Sequence, residues 1–326
     1  MGLKWLITGG CGFIGTSLID SLVNEGGHSI RVLDNLTVGT KEDLASVSNY
    51  EMCEAGNLKQ INEGACQLIK GDILNDQLAL SVTEGMDVIV HLAANTGVGP
   101  SVEDPRSDCM TNVLGIFNYL EAARINNVKR FIFASSGAPA GEVDPPIHEN
   151  LPSKPVSPYG ASKLAGEGYC SAYCRTFGIE TISLRFGNVY GPRSGHKNSV
   201  VAKFIRQAIN GDILEIYGDG TQTRDFIYIQ DLVDAIRKSV VSEGCGGEAY
   251  QIATNQETTL NEMLNILVPI LKKSGVSNIT LKHAEVRLGD VMRNYSDTSK
   301  AKRYLGWSHV TELQDGLEMT VRSFLD

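Results

Sequence analysis

Short apolar runs alternate with longer segments of helical period through the first 185 residues, and this alternation constrains the fold more than any other feature of the chain. Strands that alternate with helices form βαβ units on a parallel sheet. We therefore predict an α/β protein with a Rossmann-like, doubly wound parallel sheet. The predicted strands are 4–8, 31–34, 67–70, 87–91, 130–134 and 180–185, and the predicted helices are 13–25, 107–126 and 158–177.

The regular alternation stops after Arg185, where glycines and a proline interrupt short elements. This change predicts two domains: a Rossmann-like domain over 1–187 and a smaller mixed α/β lobe for the substrate over 188–326. An apolar run at 226–229 is followed by a helical segment at 231–241. We expect the stretch near 225–250 to return to the first domain.

Charge and cysteine content exclude several classes of partner. The formal net charge is −9, with 29 basic against 38 acidic residues, so we expect no binding to nucleic acid or to anionic membranes. We also expect no membrane span, because no apolar run reaches about 18 residues. The seven cysteines form no C-x-x-C pair, which predicts reduced thiols, no metal site and a cytoplasmic protein.

The first predicted strand runs into a glycine-rich turn, Gly9-x-x-Gly12-x-x-Gly15, and then into a helix. Glycines at these places allow a tight turn, close approach of the backbone to a pyrophosphate, and close packing of helix on strand. The helix N-terminus would favour the phosphate charge. Such turns also occur for structural reasons alone, so the motif needs support from its surroundings.

That support comes from Asp34, which ends the next predicted strand about twenty residues further on, where a carboxylate binds the adenosine ribose. A carboxylate there repels a 2′-phosphate and thus favours NAD over NADP. The alternative is that Asp34 only begins a turn with Asn35. Asp72, after the third strand, is placed either to meet the adenine or to form a turn with Gly71, and both interpretations remain open.

Tyr159 and Lys163 are four residues apart in the helix that begins at Ser157-Pro158, so both project from one face. An ammonium near a phenol lowers the phenol pKa, and a tyrosine tuned in this way is a usable general base. Ser136, at the end of the preceding strand, could donate to the same substrate oxygen. The alternatives are a half-buried tyrosine beside a solvated lysine, and a serine in an ordinary turn.

The chain resembles the extended short-chain dehydrogenase/reductase family, and within it the NAD-dependent sugar-nucleotide epimerases and dehydratases, most of all the UDP-sugar 4-epimerases. The motifs that carry the resemblance span nearly the whole chain: TGGCGFIG from Thr8, DNL from Asp34, GDI from Gly71, HLAA from His91, NV from Asn112, SS from Ser135, YxxxK from Tyr159, LRFGNVYGP from Leu184, GDGTQTRDF from Gly218 and RLGD from Arg287.

The resemblance implies roles for residues in these motifs. Tyr159 is the expected base, Lys163 tunes it and holds the nicotinamide ribose, and Ser136 aligns the sugar hydroxyl. The expected cofactor is NAD, with no metal. The residues expected to bind it are Gly9, Gly12, Phe13, Ile14, Gly15, Asp34, Asn35, Asp72, Ile73, Leu92, Ala93, Ala94, Asn112, Tyr159 and Lys163.

The resemblance also implies substrate contacts. Asn188, Arg224 and Arg287 are expected to bind the diphosphate and nucleotide, which suits the bidentate geometry of arginine, although surface ion pairing is the alternative for either arginine. Thr96 is expected to face the sugar. Asn294 corresponds to a position where a small residue leaves room for an N-acetyl group, or it is an ordinary loop asparagine.

The residues after Ser136 bear on the reaction. Dehydratases of this family carry Asp-Glu there, whereas this chain has Gly137-Ala138, so elimination lacks its acid and base. We therefore predict NAD-dependent 4-epimerisation of a nucleotide sugar (EC 5.1.3 type), namely a UDP-hexose, UDP-N-acetylhexosamine or UDP-hexuronate, through a 4-keto intermediate. The alternatives are another dehydratase or epimerase of the family and a non-catalytic nucleotide-binding relative.

Where most relatives have Val-Tyr, this chain has Pro139-Ala140, which we expect to remove a wall of the sugar pocket.

The two helical segments 107–126 and 158–177 carry apolar residues on more than one face. A wide apolar stripe is usual for a core helix. The family resemblance instead implies that these helices form the four-helix seam of a homodimer. It also implies a place in polysaccharide biosynthesis.

Overall fold

The structure is a computed structural model that describes residues 2–58, 60–285 and 291–326. Its strands are β1 Lys4–Thr8, β2 Ser29–Asp34, β3 Glu51–Cys53, β4 Cys66–Lys70, β5 Val88–His91, β6 Arg130–Ser136, β7 Glu180–Phe186, β8 Asn188–Tyr190, β9 Leu214–Tyr217, β10 Thr223–Arg224, β11 Phe226–Tyr228, β12 Glu248–Ile252, β13 Thr258–Thr259 and β14 Leu281–Ala284.

The helices connect these strands. They are α1 Phe13–Glu25, α2 Lys41–Ala45, α3 Asp76–Thr83, α4 Val98–Glu103, α5 Pro105–Cys109, α6 Gly115–Ile125, α7 Pro158–Phe177, α8 Val200–Asn210, α9 Ile229–Val241, α10 Leu260–Lys273, α11 Ser299–Leu305 and α12 Leu313–Leu325. A π-helical segment, Met110–Leu114, joins α5 to α6. Short 3₁₀ helices lie at Ala55–Asn57 and Ala138–Ala140.

Eight strands form one sheet in the order β12-β7-β6-β5-β1-β2-β4-β3. The neighbouring pairs from β6 across to β3 run parallel. β1 lies between β2 and β5, so that Thr8 at its carboxyl end pairs with Leu33 on one side and His91 on the other. The predicted doubly wound, Rossmann-like sheet is confirmed, and the strand order reverses beside β1, where sheets of this kind bind ligands.

The central strands are covered on both faces. Every residue of β2 and of β5 is buried. One core cluster packs Leu6, Ile89 and Phe131 of the sheet against Ile116 of α6 and Tyr173 of α7. Continuous burial along a strand is the consequence of helices on both faces of a parallel sheet.

The predicted helix 107–126 falls on a continuous helical stretch from Pro105 to Ile125, which contains a π-helical segment. α5 begins two residues earlier, where the Asp104 side chain accepts from the Ser107 N–H at 2.9 Å and Pro105 occupies the first turn. The π-helical segment Met110–Leu114 then separates α5 from α6. Its Asn112 bonds the main chain of Asn95, a tertiary contact that helical periodicity does not encode.

The chain divides into two units. Unit 1 comprises Met1–Glu142, Leu151–Arg185 and Ile236–Tyr250, and unit 2 comprises Val143–Asn150, Phe186–Ala235 and Gln251–Asp326. The assignment of Val143–Asn150 to unit 2 has no signal in the sequence. It follows from hydrogen bonds within that unit: the Ile147 N–H donates to the Tyr295 carbonyl at 2.8 Å, and the Gln251 N–H donates to Glu149 at 2.7 Å.

Unit 2 contains three two-stranded sheets, β8 with β11, β9 with β14, and β10 with β13. The buried carboxylate of Asp225 joins its segments. It accepts from the N–H and hydroxyl of Thr254 at 2.7 and 2.6 Å, from the Asn255 N–H at 3.0 Å and from the Ser296 N–H at 3.2 Å. Four donors on one carboxylate fix three separate stretches of the chain.

Replacement of this carboxylate should destabilise unit 2. Asp225→Ala leaves its buried donors without an acceptor, and we expect a loss of about 3 kcal/mol in the free energy of unfolding. Urea denaturation measures the change. Asp212→Asn is the matched control, since Asp212 is exposed in the same unit, and it should change stability by less than about 0.5 kcal/mol. Equal stability of Asp225→Ala and the control would contradict this account.

Candidate active site

The glycine-rich turn after β1 brings backbone against backbone. Gly9 has φ +69°, and a Cβ built on it would lie 2.8 Å from the Ala93 nitrogen. A Cβ on Gly15 would lie 2.5 Å from the Gly10 Cα. Neither position tolerates a side chain, so the turn has the close packing that the motif predicts.

The turn ends at the N-terminus of α1. Gly12 occupies the N-cap position and supplies no side-chain hydrogen bond, so the N–H groups of the first turn, which include those of Phe13 and Ile14, have no side-chain cap. The hydroxyls of Thr16 and Ser17 bond carbonyls of the same helix. A cap made of backbone alone, with no acidic residue in the first turn of α1, is a suitable cradle for a pyrophosphate.

Asp34 lies at the carboxyl end of β2 beside this turn. Its carboxylate accepts from the Cys11 N–H at 3.0 Å and from the Leu36 N–H at 2.8 Å. Burial raises the pKa of the carboxyl, and these two backbone bonds oppose the rise. The hydrogen bond to Cys11 fixes Asp34 against the glycine turn, so a ribose contact and a turn with Asn35 are compatible.

Two of the predicted cofactor contacts, Asn35 and Asp72, are joined to each other. The Asn35 amide donates to Asp72 at 3.3 Å, and the other carboxylate oxygen of Asp72 accepts from the Leu74 N–H at 2.9 Å. Ile73, the next residue, is buried. Asp72 thus forms a turn and also lies beside Asn35, so the two interpretations left open by the sequence are not exclusive.

The carboxyl ends of β1 and β5 are connected by the Thr8 side chain, to which the sequence analysis assigned no role. The Thr8 Oγ1 accepts from the Ala93 N–H at 3.3 Å and lies 3.0 Å from His91 Nδ1. The Thr8 carbonyl accepts from the Leu92 N–H at 3.1 Å. Burial lowers the pKa of His91 to about 3, so this ring is neutral. These contacts position the stretch Leu92-Ala93-Ala94, where cofactor contacts are predicted.

Ser136, Tyr159 and Lys163 converge within unit 1. The Ser157 hydroxyl caps α7 by accepting from the Gly160 N–H at 3.1 Å, and Pro158 begins the helix, so Tyr159 lies in its first turn. Ser136 Oγ accepts from the Ala138 N–H at 3.2 Å, and its hydroxyl lies near enough to Tyr159 to oppose the rise in the pKa of the phenol. A hydroxyl pair of this kind can share the proton of one substrate alcohol.

Lys163 lies behind this pair and is 3% exposed. Its Nζ donates to the Ala134 carbonyl at 2.8 Å and lies 4.9 Å from the centroid of the Phe133 ring and 5.7 Å from that of Tyr159. Burial lowers the pKa of Lys163 to about 8, and the negative charges of Asp108 and Glu167 oppose this effect. The ammonium therefore has a carbonyl, an aromatic face and two carboxylates around it.

The expected lowering of the Tyr159 pKa by Lys163 is not found. Burial raises the pKa of Tyr159 to about 12, the Ser136 hydroxyl opposes the rise, and Asp108 adds to it. The reason is that the ammonium of Lys163 is directed to the Ala134 carbonyl and not to the phenol oxygen. Burial thus favours the protonated form of Tyr159.

Two buried polar groups behind the site were missed by the sequence analysis. Glu167 accepts from Arg185 through both oxygens, at 2.8 and 2.7 Å, and from the Ser135 hydroxyl at 2.6 Å. Asp108 accepts from the Ser162 hydroxyl at 2.7 Å. The spacing of Glu167 from Lys163, one helical turn, was the available signal for the first. Nothing local in the sequence marks the second.

The predicted sugar and nucleotide contacts lie apart along the chain. Thr96 is exposed in the loop after β5 in unit 1. In unit 2, Asn188 begins β8, and Arg224 in β10 donates through Nη1 to the Thr223 and Val291 carbonyls, both at 2.7 Å. The Asn294 N–H donates to the Thr223 hydroxyl at 3.1 Å. Arg287 lies outside the described residues.

The sequence predicts that Pro139-Ala140 removes a wall of the sugar pocket, but the loop after Ser136 is closely packed. Ala140 is 1% exposed, Pro139 is buried, and a Cβ on Gly141 would lie 1.8 Å from the Lys154 carbonyl oxygen. The small residues therefore pack the loop against the chain before α7, and Ala140 does not border an open space.

In residues 2–58, 60–285 and 291–326, no three His, Cys, Asp or Glu side chains are grouped so that they could hold a metal ion. Over the same ranges, none of the helices combines the length and apolarity that crossing a bilayer requires.

Comparison with known proteins places this site in context. Residues 5–253 match the profile of the NAD dependent epimerase/dehydratase family. A UDP-glucose 4-epimerase of Mycolicibacterium smegmatis is 34% identical over 327 residues, which cover 99% of this chain and 98% of that protein.

Two solved structures are also similar. A UDP-N-acetylglucosamine 4-epimerase from Methanobrevibacter ruminantium M1, in complex with UDP-N-acetylmuramic acid, has a TM-score of 0.88 at 29% identity, with 99% of this chain and 98% of that chain covered. A UDP-glucuronic acid 4-epimerase from Bacillus cereus, in complex with UDP-glucuronic acid and NAD, has a TM-score of 0.86 at 30% identity and covers 99% of both chains.

The glycine turn gives a test of cofactor binding. Gly15→Ala places a methyl group against the Gly10 backbone, which must shift and so distort the cradle. We therefore expect the NAD content of the purified protein to fall by a factor of about ten or more. Cofactor released by acid and measured by an enzymatic cycling assay gives the content. Gly56→Ala, where a Cβ meets nothing within 4 Å, is the control and should retain as much as the wild type. Full retention by Gly15→Ala would show that the turn does not hold the cofactor.

Proposed function

The chain belongs to the NAD dependent epimerase/dehydratase family, and from this premise we propose that it is an NAD-dependent 4-epimerase of UDP-linked sugars that acts through a 4-keto intermediate. The observation that carries the proposal is the convergence of Ser136, Tyr159 and Lys163 at the carboxyl end of β6, with no acid or base in the residues that follow Ser136. The cofactor is NAD, and its proposed contacts are the glycine turn, Asp34 and Lys163.

The side chains of this site divide the chemistry among them. When bound, NAD⁺ would supply the acceptor for the hydride of C4. Tyr159 accepts the proton of the sugar C4 hydroxyl and returns it when C4 is reduced again on its other face. Ser136 donates a hydrogen bond to the same oxygen, where negative charge develops. Lys163, held by the Ala134 carbonyl, keeps a cation behind the phenol.

Dehydration is the second reaction that this family supports, and the loop after Ser136 argues against it. Loss of water after C4 oxidation needs an acid and a base beside the sugar. Gly137, Ala138, Pro139 and Ala140 supply neither, and the last two are buried. Epimerisation needs no further side chain, because the 4-keto sugar turns about its diphosphate link before reduction.

The substrate class is proposed at the level of the UDP-sugar. The similar proteins act on UDP-linked glucose, N-acetylglucosamine and glucuronic acid, as their names state, so all three sugars are candidates. Arg224 and Asn188 in unit 2 are proposed contacts of the diphosphate, and Thr96 and Asn294 of the sugar. Such an activity would serve polysaccharide biosynthesis. The cytoplasm is the proposed compartment, in keeping with seven cysteines that are all free thiols.

Removal of the phenol proton acceptor tests the reaction. Tyr159→Phe should lower kcat by at least about 10²-fold, because the C4 hydroxyl loses its base while the packing of the ring is retained. Separation of UDP-sugars by anion-exchange chromatography measures the conversion. Tyr304→Phe, which removes the phenol oxygen of an exposed tyrosine in unit 2, is the control.

Three outcomes distinguish the candidate functions. An equilibrium pair of C4 epimers from one of the three UDP-sugars supports the proposal. A persistent keto product without such a pair identifies a dehydratase. No conversion of any nucleotide sugar by a protein that binds NAD and UDP identifies a non-catalytic relative.

We also propose a homodimer formed through α6 and α7. Leu114, Tyr169 and Phe177 are exposed, and Phe117 packs edge-on against Tyr169 with ring centroids 5.5 Å apart. An aromatic surface on two adjacent helices of the same unit supports self-association as a four-helix bundle.

Sedimentation tests the dimer directly. We expect a species of about twice 35.3 kDa at micromolar concentration, and Phe177→Asp together with Leu114→Asp should convert it to a monomer, because both charges would be buried in the seam. Val310→Asp, at an exposed apolar residue of unit 2, is the control and should remain dimeric. A wild-type monomer would overturn this part of the proposal.

A further inference from the structure

A buried carboxylate lies between the helix that carries Tyr159 and the π-helical segment Met110–Leu114. Asp108, near the end of α5, is 2% exposed. One of its oxygens accepts from the Ser162 hydroxyl at 2.7 Å, and the other accepts from the Asn112 amide at 2.8 Å. Since Ser162 directly precedes Lys163, Asp108 holds α7 at the position of its essential lysine.

Asn112 extends this connection to the loop after β5. Its carbonyl oxygen accepts from the Asn95 N–H at 2.8 Å, and its amide donates to the Asn95 carbonyl at 2.9 Å. The Asn95 side chain also donates to Ser107 Oγ at 3.1 Å. A continuous chain of hydrogen bonds thus runs from α7 through Asp108 to the residue that precedes Thr96.

Asp108 also acts on the site through its charge. It raises the pKa of Lys163, against the effect of burial, and it raises the pKa of Tyr159. The other groups that face Lys163 are Glu167 and Cys170 on α7 and the neutral His91 on β5, while Ser136 on β6 lies near Tyr159. Of the two carboxylates, Asp108 is the one whose charge affects the pKa of both Tyr159 and Lys163.

We propose that Asp108 is a positioning residue of the reaction, which fixes α7 to the loop after β5 and places a negative charge near both Tyr159 and Lys163. This proposal rests on the proposed function. It assigns to one carboxylate both the placement of the base and the pH range in which the base works. Asp108 itself does not touch the substrate in this account.

Removal of the charge should move both limbs of the pH profile in the same direction. In Asp108→Asn, loss of the negative charge favours the phenolate of Tyr159 and disfavours the ammonium of Lys163. The acidic and the alkaline limb of kcat should therefore both shift to lower pH, each by about one unit. Initial rates of epimerisation over pH 5–10 at saturating UDP-sugar measure the shift.

Matched variants separate charge from packing. Ser162→Ala removes one hydrogen bond and keeps the charge, so it should lower kcat without moving either limb. Asp108→Glu keeps the charge and should leave the limbs at their wild-type positions, even if the longer side chain lowers the rate. Asp76→Asn removes an exposed carboxylate of α3 and should match the wild type in rate and profile.

The outcomes are distinct. If neither limb of the kcat profile moves in Asp108→Asn, and kcat falls as much as in Ser162→Ala, then Asp108 has only a packing role and the proposal is wrong. Thermal unfolding in the same buffers shows whether each variant is folded, and Asp108→Ser replaces Asp108→Asn if the latter does not fold. Failure of the wild type to convert any UDP-sugar would instead contradict the proposed function.

Discussion

The buried ammonium of Lys163 is the constraint around which the rest of the site is arranged. An unpaired charge in the interior costs several kcal/mol, so the fold must compensate it. The Ala134 carbonyl accepts a hydrogen bond from it, the Phe133 ring presents an aromatic face to it, and Asp108 and Glu167 supply negative charge. Each group comes from a different position on β6, α5 or α7, so the placement of the lysine depends on the packing of all three elements.

The negative charges of Asp108 and Glu167 must themselves be compensated by hydrogen bonds or by opposite charges. Both oxygens of Glu167 bind Arg185, and one of them also accepts from Ser135, the residue before the proposed catalytic serine. Arg185 belongs to β7, so this ion pair connects α7 to two neighbouring strands. A group of alternating charges, each hydrogen-bonded, can remain in the interior where any one alone would not. The reactive hydroxyls of Ser136 and Tyr159 lie at the edge of that group.

The parts of the fold and site that the sequence predicts are those set by local chemistry. Gly9 and Gly15 mark places where a Cβ does not fit, and Ser157-Pro158 marks a helix start, so the turn after β1 and the start of α7 follow from a few adjacent residues. Asp108 could not be found in this way, because its partners are 4 and 54 positions away along the chain. The division of 107–126 into three elements and the raised pKa of Tyr159 have the same origin, since both depend on tertiary contacts.

The proposed contacts of the cofactor and those of the sugar are therefore of different kinds. The cofactor cradle consists largely of backbone, in a turn where side chains are excluded, and such a cradle admits few sequences. The proposed sugar contacts are side chains on loops, such as Thr96 and Asn294, and a loop side chain can change without disturbing the sheet. Pro139 and Ala140 are buried beside Ser136, in a loop that packs against the chain before α7. The proposed sugar contacts are not among the residues that hold Lys163, so a fold of this design can change its sugar while it keeps its reaction.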